Sequence, residues 1–441
     1  MKKLPVVASV SLGAALLTAV AAPSAWARTA APHYPGAIAP TTLTVWADAP
    51  TGGYPDQQPA VAAFEKAYPQ IHVNMVYVPD QGYGQKVQTA LAGNSAPDVW
   101  LYFQPVDFFG RGNIQNLTSY IKRDHLDTNQ WFQPITRLRF TYKGDYYAVP
   151  ASTGGAGMAF SGMLYNKQLF KQAGITAPTG DYTIDQFAAM AKKLTDSKKV
   201  IYGTDIGATQ AYAFYSQLAW NFGTDVTSPD GRKFTGYMNS ANMKRALNWM
   251  IGLQKSGVAI PPSINSAVGG SFGPFYTGHV AMAFDGLWDL QQMRKASFGV
   301  GVMRLPSVPG HTSYAWADSI GYAMWAKSTH KDAAWAWMRF ISGPVWGQVA
   351  ASKYSIATPV QALWPQLGLA KDELLSGFYA QRTQSFRLPS YERSQFFGEC
   401  AAPFTTAYSK ALRTGQDIGP LVDAATTQGQ SCLDKNYSQI K

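Results

Sequence analysis

The densest run of chemically capable side chains is Pro274 to Leu290, reading PFYTGHVAMAFDGLWDL. An apolar stretch from Val280 to Phe284 stops at an Asp285-Gly286 turn, and Trp288 follows between two carboxylates, Asp285 and Asp289. A Trp placed there either fills a core or stands at a strand's end as a stacking face. A glycosidase would need two carboxylates set across a sugar bond. Spacing alone does not supply that geometry, and a turn Asp followed by a helix-start Asp is the plainer reading of the pair. Gly269-Gly270-Ser271-Phe272-Gly273 matches G-x-S-x-G, but a nucleophile elbow needs a strand before it and a helix after it. Here PPSINSAV precedes and Pro274 follows, so the match reads as a glycine loop. The histidines (His33, His72, His125, His279, His311, His330) have no metal-ligand spacing, and HExxH, P-loop and CxxC patterns are absent from the sequence. No cofactor and no metal are expected.

The elements that must position such residues belong to a large chain. At 441 residues, 46% hydrophobic and 14% charged, it has enough apolar material for more than one core. Lys2, Lys3, the apolar stretch Val6 to Val20 and Ala25-Trp26-Ala27 read as a secretory signal peptide spanning 1–27. No later segment has the roughly 18 apolar residues of a spanning helix. Without Lys2 and Lys3 the net charge of +11 falls to +9, spread in pairs such as Lys192-Lys193 and Lys198-Lys199 rather than in a stripe. Nucleic acid is therefore not the expected partner. Cys400 and Cys432 are the only cysteines, and in an exported chain an even count predicts a disulfide.

Periodicity predicts a strand at Leu43 to Trp46 and a helix carrying Val61, Phe64 and Tyr68. It then predicts a strand at Ile71 to Val78, a helix at Val87 to Ala92 and a strand at Asp98 to Phe103. That alternation indicates a parallel α/β sheet. A turn at Lys143-Gly144-Asp145 and the glycine-rich STGGAG, Ser152 to Gly157, mark a boundary. A second α/β unit follows, with a strand at Met158 to Tyr165 and helices at Lys167 to Ala173, Asp185 to Leu194 and Ser240 to Ser256. Gly257 stops the last of these. Thr329 with Asp332 fits a capping box ahead of a helix bearing Ala334, Trp337, Met338 and Ile341.

Five segments, in order from about Thr41 to Val360, resemble the bacterial extracellular solute-binding proteins of carbohydrate-uptake ABC transporters. They are LTVWADAP with FEKAYPQIHV; ALAGNSAPDVWLYF; YYAVP with MLYNKQLFKQAGI; FYTGHVAMAFDGLW; and IGYAMWAKSTHKDAAWAWMRFI with ATPV. The resemblance implies an α/β fold of the type II periplasmic-binding-protein kind, with two lobes joined by three hinge crossings. The crossings fall near Pro150 to Gly154, Trp316 to Ile320 and Ala357 to Val360. The implied lobes are 41–151 with 321–357, and 152–320 with 358–441.

The resemblance also implies a periplasmic monomer that captures a sugar or sugar-like solute by hinge closure and passes it to a membrane permease, without covalent chemistry. An anionic solute (a sugar acid or a glycerol phosphodiester) is the alternative within this fold, and a secreted carbohydrate hydrolase the alternative outside it. A sugar ring offers an apolar C–H face to an indole and a hydroxyl rim to carboxylates, which suits Trp288 and Asp285. Strand ends and hinge positions add Trp46, Asp48, Tyr102, Gln104, Gly154, Gly155, Asp318 and Ser319, while Tyr212 and Tyr391 add stacking faces. Arg137, Arg139 and Arg387 are the cations available to an anionic guest.

Overall fold

A computed structural model describes residues 38–49, 56–79, 82–102, 106–132, 134–152, 159–206, 212–267, 273–354, 358–360, 363–381, 389–394 and 396–439. The expected signal peptide, Gln104, Gly154, Gly155, Arg387 and residues 269–272 of the G-x-S-x-G match lie outside the described residues, as do the side chains of Tyr212 and Asp318.

Alternation builds the first sheet. In β1 (Thr41–Asp48) Leu43, Val45 and Ala47 are fully buried. This strand runs four residues longer than its apolar centre suggested, because β2 (Ile71–Val78) pairs with it in parallel along its whole length, Thr41 against Ile71 and Asp48 against Val78. β3 (Val99–Tyr102) joins in parallel on the other side of β1. Parallel neighbours need crossovers, and the helices Gln58–Ala67 and Tyr83–Ala92 supply them, burying Val61, Phe64, Tyr83 and Val87. β4 (Thr141–Tyr142) and β5 (Asp145–Tyr146) form a hairpin. Lys143 and Gly144 stand at φ 52° and 89°, as a two-residue primed turn requires.

After β6 (Ala148–Pro150) the chain contributes β7 (Ala159–Asn166), β8 (Tyr202–Thr204), β9 (Val280–Gly286), β10 (Val300–Met303) and β11 (Ala317–Asp318) to a second sheet. It then returns with β12 (Gly321–Met324) to the first. The first sheet has the order β2-β1-β3-β12-β6; the second has β10-β7-β9-β8, with β11 on β7. Every residue of β9 is buried, which explains its unbroken apolar run. The capping box Thr183/Gln186 opens the helix Ile184–Leu194. Gly257, at φ 74°, lies just past the helix Ala241–Lys255. The capping box expected at Thr329/Asp332 does not form. The helix Lys331–Ser342 begins after His330 without a side-chain cap, because Ser328 Oγ takes the His330 N–H and in turn donates to Asp98.

Two features tie the sheets together. The helix Pro134–Phe140 puts Ile135 into the core beside the second sheet and Phe140 into that of the first. The crossings also bond one another. Ala151 N donates to Ile320 O at 3.2 Å, and the hydroxyls of Ser152 and Thr358 are 3.2 Å apart. Trp346 Nε1 closes on Ser152 O at 2.8 Å and Trp364 Nε1 on Thr358 O at 3.0 Å.

Helices Ala402–Thr414 and Ile418–Ser438 cover the second core. Cys400 and Cys432 are bonded there, 32 residues apart in sequence with Cα atoms 5.4 Å apart. Closing a loop of that length restricts the unfolded chain by about 4 kcal/mol. Replacing both cysteines by Ala should therefore lower the unfolding free energy by about that amount in a urea titration; a loss below about 1 kcal/mol would show that helix packing alone holds this end.

Candidate functional site

The site grows from the end of β9. Its register sets Asp285 against Gly162 and Gly286 against Ser161 on β7. The chain then makes a single turn, Leu287–Asp289, before the helix Leu290–Lys295. Leu287 is fully buried and anchors the turn. Gly286 makes the turn possible by close approach: a Cβ there would lie 2.1 Å from the Trp288 indole. The half-buried Trp288 therefore lies back over its own strand's last residue.

Trp316 completes a corner. Its ring meets that of Trp288 edge to face, centroids 5.4 Å apart at 70°, a favoured aromatic geometry. The backbone of Trp316 is locked to the first residues of β7. Ser161 N donates to Trp316 O at 3.1 Å, Trp316 N donates to Ser161 Oγ at 3.1 Å, and Ser161 Oγ donates to Gln217 Oε1 at 2.7 Å. Trp316 Nε1 is buried with no hydrogen-bond partner among the described residues. An unmet buried donor costs about 1–3 kcal/mol, so a hydroxyl reaching it would be favoured. Trp316 was seen in the sequence only as the start of a crossing; its signal was an aromatic just ahead of a Ser-containing strand entry.

Beneath the corner sit carboxyls. Asp285 is 1% exposed. Its Oδ2 accepts the Tyr276 hydroxyl at 2.6 Å and its Oδ1 the Gly286 N–H at 2.7 Å. Burial, then the neighbouring Asp289 charge, push the Asp285 carboxyl well above the usual range. Burial pushes Asp289 up to about 6 and, with the Asp285 charge, pushes the Tyr276 hydroxyl up as well. The folded state thus holds protons on these carboxyls that the unfolded chain gives up near pH 4. The stabilisation is full below that pH and is lost as pH rises through the folded value. Between pH 4 and 7 the unfolding free energy should fall by about 1–3 kcal/mol from Asp289, and Asp289→Asn should flatten that slope. Parallel slopes in the two proteins would dismiss the effect.

The remaining sequence candidates divide. Trp46, half-buried at the end of β1, has Lys86 Nζ 4.9 Å from its ring centroid. Asp48 is 1% exposed, and its Oδ1 accepts the Ala49 N–H. Tyr102, the strand-end candidate of β3, is fully buried, its ring stacked on Phe109 at 4.6 Å with the Arg139 guanidinium over it. Ser319 is likewise fully buried and accepts from Thr136 Oγ1 at 3.1 Å. One face of the half-buried Tyr391 is taken by Phe397 at 4.7 Å. Arg137 donates to the carbonyls of Thr128 and Phe132, and the buried Arg139 pairs with Glu392 at 3.1 Å.

The described residues on either side of the G-x-S-x-G match are helical, Pro262–Ala267 before it and Gly273–Tyr276 from its last glycine onward. No cluster of three His, Cys, Asp or Glu suited to a metal occurs among the described residues.

The sequence profile of the bacterial extracellular solute-binding protein family matches residues 47–348, and the chain belongs to that family. Among curated relatives, the maltotriose-binding protein of Pyrococcus abyssi is 24% identical over 286 residues, covering 62% of this chain and 56% of the relative. Among solved structures, an ABC substrate-binding protein from Listeria monocytogenes in complex with cycloalternan has a TM-score of 0.76 at 23% identity, over 90% of this chain and 99% of that one. The GacH receptor of Streptomyces glaucescens, solved unliganded and with acarbose, has a TM-score of 0.72 at 21% identity, over 89% and 98%. The fold is thus that of the type II periplasmic binding proteins, as the resemblance implied.

Proposed function

We propose that this chain is the exported, solute-capturing component of an ABC importer, and that it binds a sugar, unaltered, for delivery to a membrane permease. The observation that carries the reading is the Trp288–Trp316 corner, set where the end of β9 meets the second crossing. Two indoles at 70° offer faces to a ring's C–H groups, and Trp316 Nε1 offers a donor to its rim. Two lobes, 41–151 with 321–357 and 152–320 with 358–441, would close about the three bonded crossings, the guest's contacts with both lobes favouring the closed state. The relatives named for maltotriose, cycloalternan and acarbose support a carbohydrate guest.

The alternatives lose ground on geometry. Arg137 and Arg139 are engaged within the protein, so neither is poised for an anionic solute. Asp285 and Asp289 are both buried, and both Asp285 oxygens are bonded within the protein, whereas paired glycosidase carboxyls must flank a sugar bond.

The test is a thermal-shift and calorimetric screen of the mature chain against malto- and manno-oligosaccharides, with mass spectrometry of the recovered sugar. A ligand at a hundred times its Kd should add about 2.7 kcal/mol and be recovered intact. Sustained cleavage, or no shift across the panel, would defeat the proposal.

A further inference from the structure

The turn that carries Trp288 is fastened at both ends by acids that the sequence offers as ligand contacts or as ordinary turn residues. Asp285 precedes the turn and has both oxygens engaged, by Gly286 N–H and by Tyr276 OH. Asp289 closes the turn at 6% exposure, four residues on from Asp285. Between them Leu287 is fully buried, and the indole of Trp288 lies where a Cβ of Gly286 would be. A third acid faces the pair: Asp205, just past β8, is 2% exposed and accepts the Phe284 N–H at 3.3 Å. Buried carboxyls this close coexist only when protons are retained among them. Asp285 cannot wrap a hydroxyl rim without first giving up these bonds.

The geometry points to Asp285 and Asp289 as a buried pair of acids that fixes the 286–289 turn from its two ends, and through it the angle of Trp288, without touching the solute. They are positioning residues. Tyr276, from the short helix Gly273–Tyr276, is the third member, because it holds the outer oxygen of Asp285. The only part of this inference that rests on the sugar-binding reading is its ligand test.

The first arm of the test needs no ligand. The emission of Trp288 is taken as the difference between the parent chain and Trp288→Phe, and the same difference is taken in Asp289→Ala and Asp289→Asn backgrounds. In Asp289→Ala the difference spectrum should move to the red and quench more readily with acrylamide. Asp289→Asn keeps a group able to bond Asp285 and should return the spectrum toward that of the parent. An Asp289→Ala spectrum that superposes on the parent's, or an Asn variant no nearer the parent than the Ala variant, overturns the inference. Should Asp289→Ala not fold, Tyr276→Phe replaces it: a red shift supports the pair and superposition overturns it. In the second arm, maltotriose titration should show binding about tenfold weaker in Asp289→Ala, with partial recovery in Asp289→Asn. Equal affinities would overturn the inference. If the parent itself ignores maltotriose, the choice of sugar has failed, and the emission arm alone decides the pair.

Discussion

Trp288→Ala should weaken binding of the captured sugar by roughly 30- to 150-fold, the 2–3 kcal/mol typical of truncating a central aromatic anchor. The side chain is half-buried, and its ring packs against Trp316 and the face of Gly286. Removing it strips one wall of the corner while the buried neighbours Asp285, Leu287 and Asp289 stay in place. The ligand-free protein should therefore lose only about 1 kcal/mol of stability, well short of the 3–5 kcal/mol of a core Trp truncation. Trp288→Phe should lie between, since a smaller ring still stacks. Calorimetry gives the affinity and urea unfolding the stability. A variant that binds as well as the parent but melts much earlier would assign Trp288 to packing instead.

The second large effect concerns Arg139. Its side chain is 2% exposed, pairs with Glu392 at 3.1 Å and lies over the Tyr102 ring, 5.6 Å from the centroid. Glu392 is delivered by the segment Ser390–Arg393, itself pinned where Ser390 Oγ donates to Asp225 and Thr227 Oγ1 donates to Ser390. The pair thus joins the helix Pro134–Phe140 to the segment Ser390–Arg393. Removing one partner of a buried ion pair costs about 3–5 kcal/mol, because it strands the other charge. Arg139→Ala should lose about 3 kcal/mol, the lower end applying because Glu392 keeps 12% exposure. Replacing both partners, Arg139→Met with Glu392→Gln, should cost less than the single Ala change. If the double variant proves no more stable than Arg139→Ala, stranded charge is not the cause.

The parts of the candidate site differ in how far the sequence showed them. The place of Trp288, just past the end of β9, was legible because its neighbours are local: an apolar run, an Asp-Gly turn and an aromatic lie within ten residues. The partner of Asp285 was not, since a carboxylate at a strand end reads the same whether it faces solvent or a Tyr276 hydroxyl. The cover over Tyr102 was hidden for a related reason. A tyrosine ending an apolar strand reads the same whether its ring is open or capped, and only the Phe109 ring and the Arg139 guanidinium decide that here.

What the sequence determined by itself is whatever depends on near neighbours along the chain. Alternation specified β1 and β2, continuous apolarity specified β9, and Gly257 ended its helix, because period and backbone freedom act over a few residues. The even cysteine count predicted the Cys400–Cys432 bond. Tertiary structure alone decided the contacts between distant segments: Trp316 against Trp288, Ser152 against Thr358, and Arg139 against Glu392, more than 250 residues away. Those contacts arise from how two sheets share three crossings, and no local pattern encodes which side chains that sharing brings face to face.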